Sequence, residues 1–238
     1  MKKCIVITGV TSGLGKGIAK SFSLLGWLVI GLARNETKLK GLERDLGGNF
    51  HGIQCDVQLI DSVKNAFNNV LEYSPFIDLL VNNAAVFKMA KFSECDYEDI
   101  DAMIDTNLKG AIYVTLESIK YMGLTNYSRS SRIVNIASVA AKHGIAKQAI
   151  YCASKYGLDG FSEALNQEII QDGIFITTLY PGGINTPLWN DNNPYPVQED
   201  VSNILQISDV VNVVEYISQL HERVVLKSMT IFPKNEWH

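Results

Sequence analysis

Residues 3–26 have the sequence KCIVITGVTSGLGKGIAKSFSLLG, and the architecture of the chain can be inferred outward from this stretch. Its first six residues are mostly apolar and β-branched, which predicts a buried strand. A glycine-rich turn follows, in which Gly9, Gly13 and Gly15 are spaced Gly-x-x-x-Gly-x-Gly, and apolar residues then recur at helical spacing. In such a unit, glycines let the backbone approach a diphosphate, and the helix N-terminus presents free N–H groups to it. We interpret the turn as a nucleotide site; the alternative is an ordinary tight turn between strand and helix.

The rest of the chain continues this alternation of strand-like and helix-like segments. Apolar runs predict six further strands, at 28–33, 50–55, 77–81, 132–137, 174–179 and 228–232. Helical patterns such as that of residues 62–71 lie between them. We therefore predict an α/β fold, a single-domain Rossmann-type doubly wound parallel sheet of about seven strands with helices on both faces, over residues 1–238. Ligands of such sheets bind at the carboxyl ends of the strands.

The composition argues against several classes of function. The chain has 238 residues, 47% of them hydrophobic, and a net charge of −4, so we expect no nucleic-acid partner and no membrane partner. The first apolar stretch ends at Thr8, too soon for a secretory signal, and no run approaches membrane-spanning length. The four cysteines show no paired spacing and no histidines cluster with them, so we expect free thiols, no metal site and a cytoplasmic location.

The strongest chemical signal is the pair Tyr151 and Lys155, with Ser138 thirteen residues upstream at the end of an apolar run. On a helix, residues four apart share a face, so the ammonium should lie beside the phenol. A positive charge at that range favours the phenolate, and we expect it to lower the pKa of Tyr151. Taken alone this spacing is common by chance, and it gains weight only beside a nucleotide site.

Three further signals follow predicted strands. Asp56 comes directly after the third strand, 82–85 (Asn-Asn-Ala-Ala) after the fourth, and 181–183 (Pro-Gly-Gly) with Thr186 after the sixth. Each has a plain structural alternative: a helix cap, a simple turn and a chain stop, respectively. Because the carboxyl ends of parallel strands meet at one edge, we expect these residues to lie together with the glycine turn.

In these motifs the chain resembles the classical short-chain dehydrogenase/reductase family, and the resemblance covers essentially all 238 residues. It implies that the four catalytic positions are Asn107, Ser138, Tyr151 and Lys155. It also implies a set of cofactor-binding residues: Gly9, Thr11, Ser12, Gly13, Leu14, Gly15, Arg34, Asp56, Val57, Asn83, Ala84, Ala85, Tyr151, Lys155, Pro181, Gly182, Ile184 and Thr186. One departure is Ala85, which stands where the family's Asn-Asn-Ala-Gly motif ends in glycine.

The resemblance also implies a reaction, hydride transfer between a nicotinamide cofactor and a carbonyl or secondary alcohol substrate. Tyr151 would act as general acid and base, and Ser138 would hold the reacting oxygen. Lys155 would lower the pKa of Tyr151 and bind the nicotinamide ribose, and Asn107 would hold a water that relays protons. The alternatives for Asn107 and Ser138 are a buried amide that satisfies helix backbone and a strand-end cap. Two other functions stay open: an isomerase or epimerase that recycles its cofactor internally, and a non-catalytic nucleotide-sensing protein.

Cofactor choice depends on the end of the second strand. An acidic residue there would accept the adenosine ribose hydroxyls and repel a 2′-phosphate, but this chain has Ala33 and Arg34. Arg34 suits a phosphate partner, so we favour NADP(H) over NAD(H); alternatively, Arg34 is solvated or stacks on adenine. Ser12 lacks the basic side chain that many NADP-preferring relatives have there. We expect Asp56 and Val57 to flank the adenine.

The substrate side gives fewer signals. Residues 185–200 are rich in Pro, Asn and Asp, and we expect the region 185–205 to form a lid over a small carbonyl or alcohol substrate. Candidate pocket residues are His143, Gln148, Leu188 and Trp189, although His143 and Trp189 also suit a surface loop and ordinary packing. From the resemblance we expect a homodimer or homotetramer, with the helices of Asn107 and Tyr151 at a subunit seam. The segment 229–234 lacks the Asp-Gly-Gly that often follows the last strand in the family.

Overall fold

The apolar runs form one sheet. The computed structural model describes residues 2–123, 129–189 and 203–234. Its strands are β1 (Cys4–Thr8), β2 (Leu28–Ala33), β3 (Phe50–Gln54), β4 (Leu79–Asn82), β5 (Ser131–Ile136), β6 (Ile174–Pro181) and β7 (Ser228–Ile231). They pair in the order β3-β2-β1-β4-β5-β6-β7, and every pair is parallel. The predicted seven-stranded parallel sheet is confirmed.

Helices connect the strands. They are α1 (Gly13–Leu24), α2 (Glu36–Leu46), α3 (Ile60–Tyr73), α4 (Tyr97–Ile104), α5 (Ala111–Ser118), α6 (Ala149–Ile169) and α7 (Ile207–Gln219). A π-helical turn, Asp105–Gly110, joins α4 to α5 without a break. Single turns of 3₁₀ helix lie at Gly47–Asn49, Phe92–Glu94, Ile119–Tyr121, Val139–Ala141 and Ile170–Asp172. Within the described ranges, no helix has the length and apolar character needed to cross a bilayer.

The core is split by the sheet into two layers, as the alternation of side chains along a strand requires. In β1, Ile5 and Ile7 pack into one cluster with apolar residues of α1 and α7, whereas Cys4 and Val6 pack into another with residues of α3 and α5. Both faces of the sheet are therefore covered by helices, and the prediction of a doubly wound fold is confirmed.

Two strand boundaries differ from the predicted ones by two residues, and the others differ by at most one. Strand β4 begins at residue 79, not 77, because the Ile77 N–H donates to the carbonyl of Tyr121, outside the sheet (2.9 Å). Strand β6 runs to Pro181, not to 179, because Tyr180 and Pro181 still pair with β7. An apolar sequence indicates which residues are buried, but the ends of a strand depend on which backbone groups are hydrogen-bonded to the neighbouring strands.

The strand order reverses between β1 and β4, and a crevice opens there at their carboxyl ends. From β1 the chain builds outward to β2 and β3, then crosses back to place β4 on the other side of β1. The Thr8 hydroxyl at the end of β1 accepts hydrogen bonds from the backbone N–H groups of Asn83 and Ala84, both at 3.0 Å. This contact fixes the two strand ends on either side of the crevice.

Candidate active site

One cavity of about 1010 Å³ lies along the carboxyl edge of the sheet, and nearly all the predicted site residues line it. They are Gly9, Thr11, Ser12, Gly13, Leu14, Arg34, Asp56, Val57, Asn83, Ala84, Ala85, Ser138, Tyr151, Lys155, Pro181, Gly182, Ile184 and Thr186. Gly15 and Asn107 are not among the lining residues and lie behind the wall. We call the part beside residues 9–14 and Arg34 the glycine-turn end, and the part beside Ser138, Tyr151 and Phe87 the tyrosine end.

The glycine turn closes onto β4 so tightly that side chains have no room. A Cβ on Gly15 would lie 2.4 Å from the Gly9 carbonyl oxygen and 2.6 Å from the Asn83 amide nitrogen. The Asn83 amide donates to the Thr8 carbonyl (2.9 Å), and Gly9 has a φ of +68°. Gly15 is thus needed for packing of the turn and not for lining the cavity, which explains its place behind the wall.

Helix α1 begins at the cavity. Gly13 is its first residue, and the side chain of the N-cap residue Ser12 makes no capping hydrogen bond. The first-turn N–H groups therefore lack the side-chain acceptor that most helix N-termini have. With the partial positive charge of the helix end, this geometry suits an anionic ligand such as a diphosphate.

Two basic side chains line the cavity where β2 ends. Arg34 was expected there, and Lys38, on the first turn of α2, was missed. Both are exposed, and neither makes an ion pair with any residue that the structure describes. The Asn35 side chain accepts from the Lys38 N–H (2.9 Å) and so begins α2 at residue 36. The signal for Lys38 was present in the sequence, because Asn35 is a typical N-cap residue and places Lys38 on the first turn beside Arg34.

Asp56 lies after β3 and lines the cavity through a local turn. One of its carboxylate oxygens accepts from the Gln58 N–H (3.0 Å), and its own N–H donates to the Ser62 hydroxyl (2.9 Å). Asp56 is not the helix cap that the sequence left open, because the N-cap of α3 is Leu59; it forms a local turn and borders the cavity with Val57. Contact with adenine stays a prediction for both.

At the tyrosine end, Ser138 follows β5, and Tyr151 and Lys155 lie on one face of α6. The Lys155 ammonium donates to the Ile136 carbonyl (2.8 Å) and lies 5.6 Å from the centre of the Tyr151 ring. The Ser138 hydroxyl accepts from the Ala140 N–H (3.1 Å), so it also acts as the cap that the sequence allowed. The first turn of α6 and the end of β5 thus bring the three side chains together.

The predicted direction of the Tyr151 pKa is wrong for this arrangement. Burial raises the pKa of Tyr151 to about 12, and a hydrogen bond with Ser138 only partly opposes it. Burial lowers the pKa of Lys155 to about 8. Spacing predicted that the two groups are neighbours, but desolvation of the phenol outweighs the ammonium, which is directed at the Ile136 carbonyl. Tyr151 is therefore a protonated phenol at neutral pH.

Asn107 lies in the π-helical turn between α4 and α5, and its side chain is engaged on both sides. Its carbonyl oxygen accepts from the Val86 N–H (2.8 Å), and its amide donates to the Val86 carbonyl (2.9 Å) and the Ser154 hydroxyl (3.1 Å). This is the buried-amide role that the sequence allowed, and it ties the segment after β4 to α6. The predicted water relay stays a prediction.

Aromatic and apolar side chains surround Tyr151. The Phe87 ring meets the rings of Tyr151 and Trp189 edge to face, with centroids 4.8 Å and 5.1 Å apart. Phe87 was missed, because an apolar residue in a loop gives no sequence signal of its own. The predicted pocket residues line the cavity as well, with Gln148 buried, Leu188 and Trp189 partly buried, and His143 exposed. Most of the predicted lid, residues 190–202, lies outside the described residues.

Metal binding has no candidate in the part of the chain that the structure describes. No three His, Cys, Asp or Glu side chains there are grouped closely enough to hold an ion. The cysteines Cys4, Cys55, Cys95 and Cys152 are all free thiols.

Comparisons with known proteins agree with this geometry. The short chain dehydrogenase family profile matches residues 3–196. A putative ketoacyl reductase of Streptomyces coelicolor is 36% identical over 208 residues, 85% of this chain and 77% of its own. The NADPH-dependent pterin aldehyde reductase of Arabidopsis thaliana is 35% identical over 189 residues, 78% of this chain and 76% of its own. The closed form of a serine dehydrogenase complexed with NADP⁺ superimposes with a TM-score of 0.90 at 27% identity, over 99% of this chain and 96% of the other.

Proposed function

Since this chain belongs to the short chain dehydrogenase family, we propose that it is an oxidoreductase that transfers a hydride between NADP(H) and a carbonyl or secondary alcohol substrate. The observation that supports this most strongly is the shared cavity. Its tyrosine end is lined by Ser138, Tyr151 and Lys155. Its glycine-turn end is lined by the glycine turn and by two basic side chains. One ligand that spans both ends would have a charged diphosphate at one and a reacting group at the other.

The residues present fit a dinucleotide. The open N-terminus of α1 suits the diphosphate, and the turn before it approaches so closely that a Cβ at Gly9 would lie 2.9 Å from the Ala84 Cα. Asp56 and Val57 border the place where an adenine would lie, and Ile184 and Thr186 border the nicotinamide side. When bound, the nicotinamide supplies or accepts the hydride.

Tyr151 holds the proton that the reduction needs. Because burial raises its pKa to about 12, the phenol keeps its proton at neutral pH and can donate it to an oxygen that becomes an alkoxide. Ser138, hydrogen-bonded to Tyr151, holds the same oxygen in place. The Lys155 ammonium, 5.6 Å from the centre of the Tyr151 ring, stabilises the phenolate that remains after donation. Asn107 keeps α6 aligned with the segment after β4 and, in this proposal, positions a relay water.

NADP(H) is favoured because two cations meet at the end of β2. Arg34 and Lys38 both line the cavity, and no acidic side chain precedes them there at Leu32 or Ala33. A 2′-phosphate would accept bidentate hydrogen bonds from the Arg34 guanidinium and pair with the Lys38 ammonium. The 2′-hydroxyl of NAD(H) carries no charge and would form neither ion pair. Lys38 strengthens the argument that Arg34 alone supported in the sequence.

Assembly and closure complete the proposal. Large apolar side chains are exposed on α4, α5 and α6, namely Tyr97 (84% exposed), Leu116 (50%) and Tyr156 (46%). We propose that they lie at the seam of a homodimer or homotetramer. We also propose that residues 185–205 cover the substrate, since Thr186, Leu188 and Trp189 already form one wall of the cavity.

The test is net consumption of cofactor. The purified protein is titrated with NADPH and with NADH, and it is then incubated with NADPH and a panel of aldehydes and ketones. We expect tighter binding of NADPH and an equimolar yield of alcohol for each NADPH oxidised. Conversion of a substrate without net oxidation of NADPH would instead identify the isomerase alternative. Binding without turnover of any carbonyl compound would identify the nucleotide-sensing alternative.

A further inference from the structure

The tyrosine end of the cavity has one polar side chain whose position the reaction does not explain. Gln148 lines the cavity and is only 5% exposed. Its side-chain amide makes no hydrogen bond with any residue that the structure describes. The amide oxygen and nitrogen of Gln148 are not fully enclosed by protein atoms. A ligand in the cavity that this residue lines can therefore reach them. A ligand that displaces water from this part of the cavity must therefore offer the amide a partner, or leave it unsatisfied at a cost in free energy.

The backbone holds Gln148 in this position at the expense of strain. The preceding residue, Lys147, has a φ of +66° and is the non-glycine residue in the described ranges with a left-handed backbone. Three hydrogen bonds fix the segment: Ala90 N–H to the Lys147 carbonyl (3.0 Å), Gln148 N–H to the Ile145 carbonyl (3.1 Å) and Cys152 N–H to the Gln148 carbonyl (2.8 Å). Such strain persists only where the surroundings fix the conformation, so the backbone at Gln148 is held in place beside the cavity that this residue lines.

The surroundings of Gln148 are apolar. Tyr151, Phe87 and the partly buried Ile145, Leu188 and Trp189 pack in one cluster that borders the cavity. Within this cluster the aromatic rings of Phe87, Tyr151 and Trp189 meet edge to face, and all three residues line the cavity. A substrate body bound here is therefore apolar or aromatic.

Among the described residues, no charged side chain other than Lys155 lines the cavity close to Tyr151. Two basic lining residues, Arg34 and Lys38, lie beyond the end of β2, which is three strand positions, or roughly 14 Å, from the end of β5. The other two are His143, which is exposed, and Lys155, whose ammonium donates to the Ile136 carbonyl. The acidic lining residue, Asp56, is at the far end beside β3. Ser138 is assigned to the reacting oxygen, so the Gln148 amide, which both donates and accepts, is a buried neutral group left for a second polar atom of the ligand, and it matches a neutral oxygen or amide.

We propose that Gln148 binds a second polar group of the substrate, and that the substrate is an uncharged aromatic or apolar ketone or aldehyde with a hydrogen-bonding group next to its carbonyl. This rests on the proposed function. Gln148 precedes Tyr151 by one helical turn, so their side chains are about 5–6 Å apart, which suits a second group one or two carbons from the reacting carbonyl. In the reduction, a C–H bond forms at the carbonyl carbon with the hydride of NADPH, the oxygen takes the Tyr151 proton, and NADP⁺ is released. The second group is unchanged.

The experiment compares a vicinal diketone, benzil, with deoxybenzoin, which has the same skeleton but one carbonyl. In Gln148→Met, which conserves volume, we expect kcat/KM for benzil to fall about tenfold, as for loss of one hydrogen bond, and kcat/KM for deoxybenzoin to stay unchanged. The Kd of benzil from the protein–NADP⁺ complex, measured by calorimetry, should rise by the same factor. The matched control is Gln167→Met, an exposed glutamine on the same helix, for which both substrates should behave as in the parent protein.

A second variant, Gln148→Leu, guards against poor folding of the first; its side chain has no polar atom that could replace the amide, so the same selective loss is expected. Equal effects on both diketone and monoketone in the variants would overturn the inference and leave the proposed function in place. If the protein binds NADPH but reduces neither benzil nor deoxybenzoin nor any other ketone, the proposed function is overturned, and this inference with it. A selective loss for benzil in both kcat/KM and Kd supports both.

Discussion

At the glycine-turn end of the cavity the backbone makes the essential contacts, whereas at the tyrosine end buried side chains do. In the turn, Gly9 and Gly15 approach neighbouring backbone so closely that no side chain fits, and Asn83 is hydrogen-bonded to main-chain carbonyls. At the other end, Tyr151 and Lys155 are 8% and 2% exposed and both have pKa values changed by burial. One end depends on shape and the other on desolvation.

This difference predicts which kind of substitution should impair each end of the cavity. A steric change at the glycine turn should damage packing and nucleotide binding together, because the same atoms serve both. At the tyrosine end, function and stability should separate, because the buried ammonium of Lys155 costs stability and is retained for chemistry. The predictions below test this contrast.

The largest effect is expected from Tyr151→Phe, which removes the phenolic oxygen and preserves the ring packing against Phe87. Turnover should fall by roughly a hundred- to ten-thousand-fold, because the proton donor is lost. The affinity for NADPH should stay near that of the parent protein, since the cofactor is held mainly at the glycine-turn end. Steady-state kinetics and a fluorescence titration measure the two quantities. Near-normal turnover would remove Tyr151 as proton donor, and the contrast between the two ends would fail with it.

Gly15→Ala tests the shape-dependent end. The new methyl group would lie 2.4 Å from the Gly9 carbonyl oxygen, so the turn must shift. We expect a loss of roughly 1–3 kcal/mol in the free energy of unfolding, together with a strong loss of NADPH binding. The matched control is Gly41→Ala in α2, where a Cβ meets nothing within 4 Å and should stabilise the helix by about 0.5–1 kcal/mol. Urea unfolding of both variants checks this, and a Gly15→Ala protein as stable as the parent would show that the turn is not sterically fixed.

The same contrast explains what the sequence could predict. The sheet, its two covered faces and the position of the glycine turn follow from apolar periodicity and glycine spacing, which report directly on backbone geometry. The Tyr151 pKa did not follow, because residue spacing shows which groups are neighbours but not how deeply they are buried. Phe87 gave no signal, and Gln148 was expected in the pocket without the burial and the strained Lys147 that make it informative.

Lys155→Met tests whether the tyrosine end costs stability. Lowering the lysine pKa from 10.5 to about 8 corresponds to a penalty of about 3 kcal/mol for burying the ammonium, and loss of the bond to the Ile136 carbonyl offsets about 1 kcal/mol. The variant should therefore be more stable than the parent by about 2 kcal/mol at neutral pH, although its turnover is lost.

The pH dependence of this gain has a definite sign. Below pH 8 the folded parent bears the full penalty, and between about pH 8 and 10.5 the unfolded chain binds more protons than the folded one, so the parent gains stability as pH rises. The advantage of Lys155→Met should thus shrink across that window. Unfolding by urea at several pH values measures it, with the exposed Lys20→Met as control, for which no such trend is expected. A variant less stable than the parent at neutral pH would contradict the dominance of burial.

The smallest effect is expected at the exposed cations of the glycine-turn end. Arg34→Ala and Lys38→Ala should each raise the Kd of NADPH by about tenfold and leave that of NADH unchanged, because only NADPH has a 2′-phosphate for the two charges to bind. Lys40→Ala is the matched control: this lysine lies on the same helix, is paired with Glu36 at 2.6 Å and does not line the cavity. The NADPH preference of the parent should also weaken with added salt, since both side chains are exposed. If Arg34→Ala weakens NADPH and NADH equally, the guanidinium contacts the adenine and not the phosphate, and cofactor selection at this end would rest on Lys38 alone.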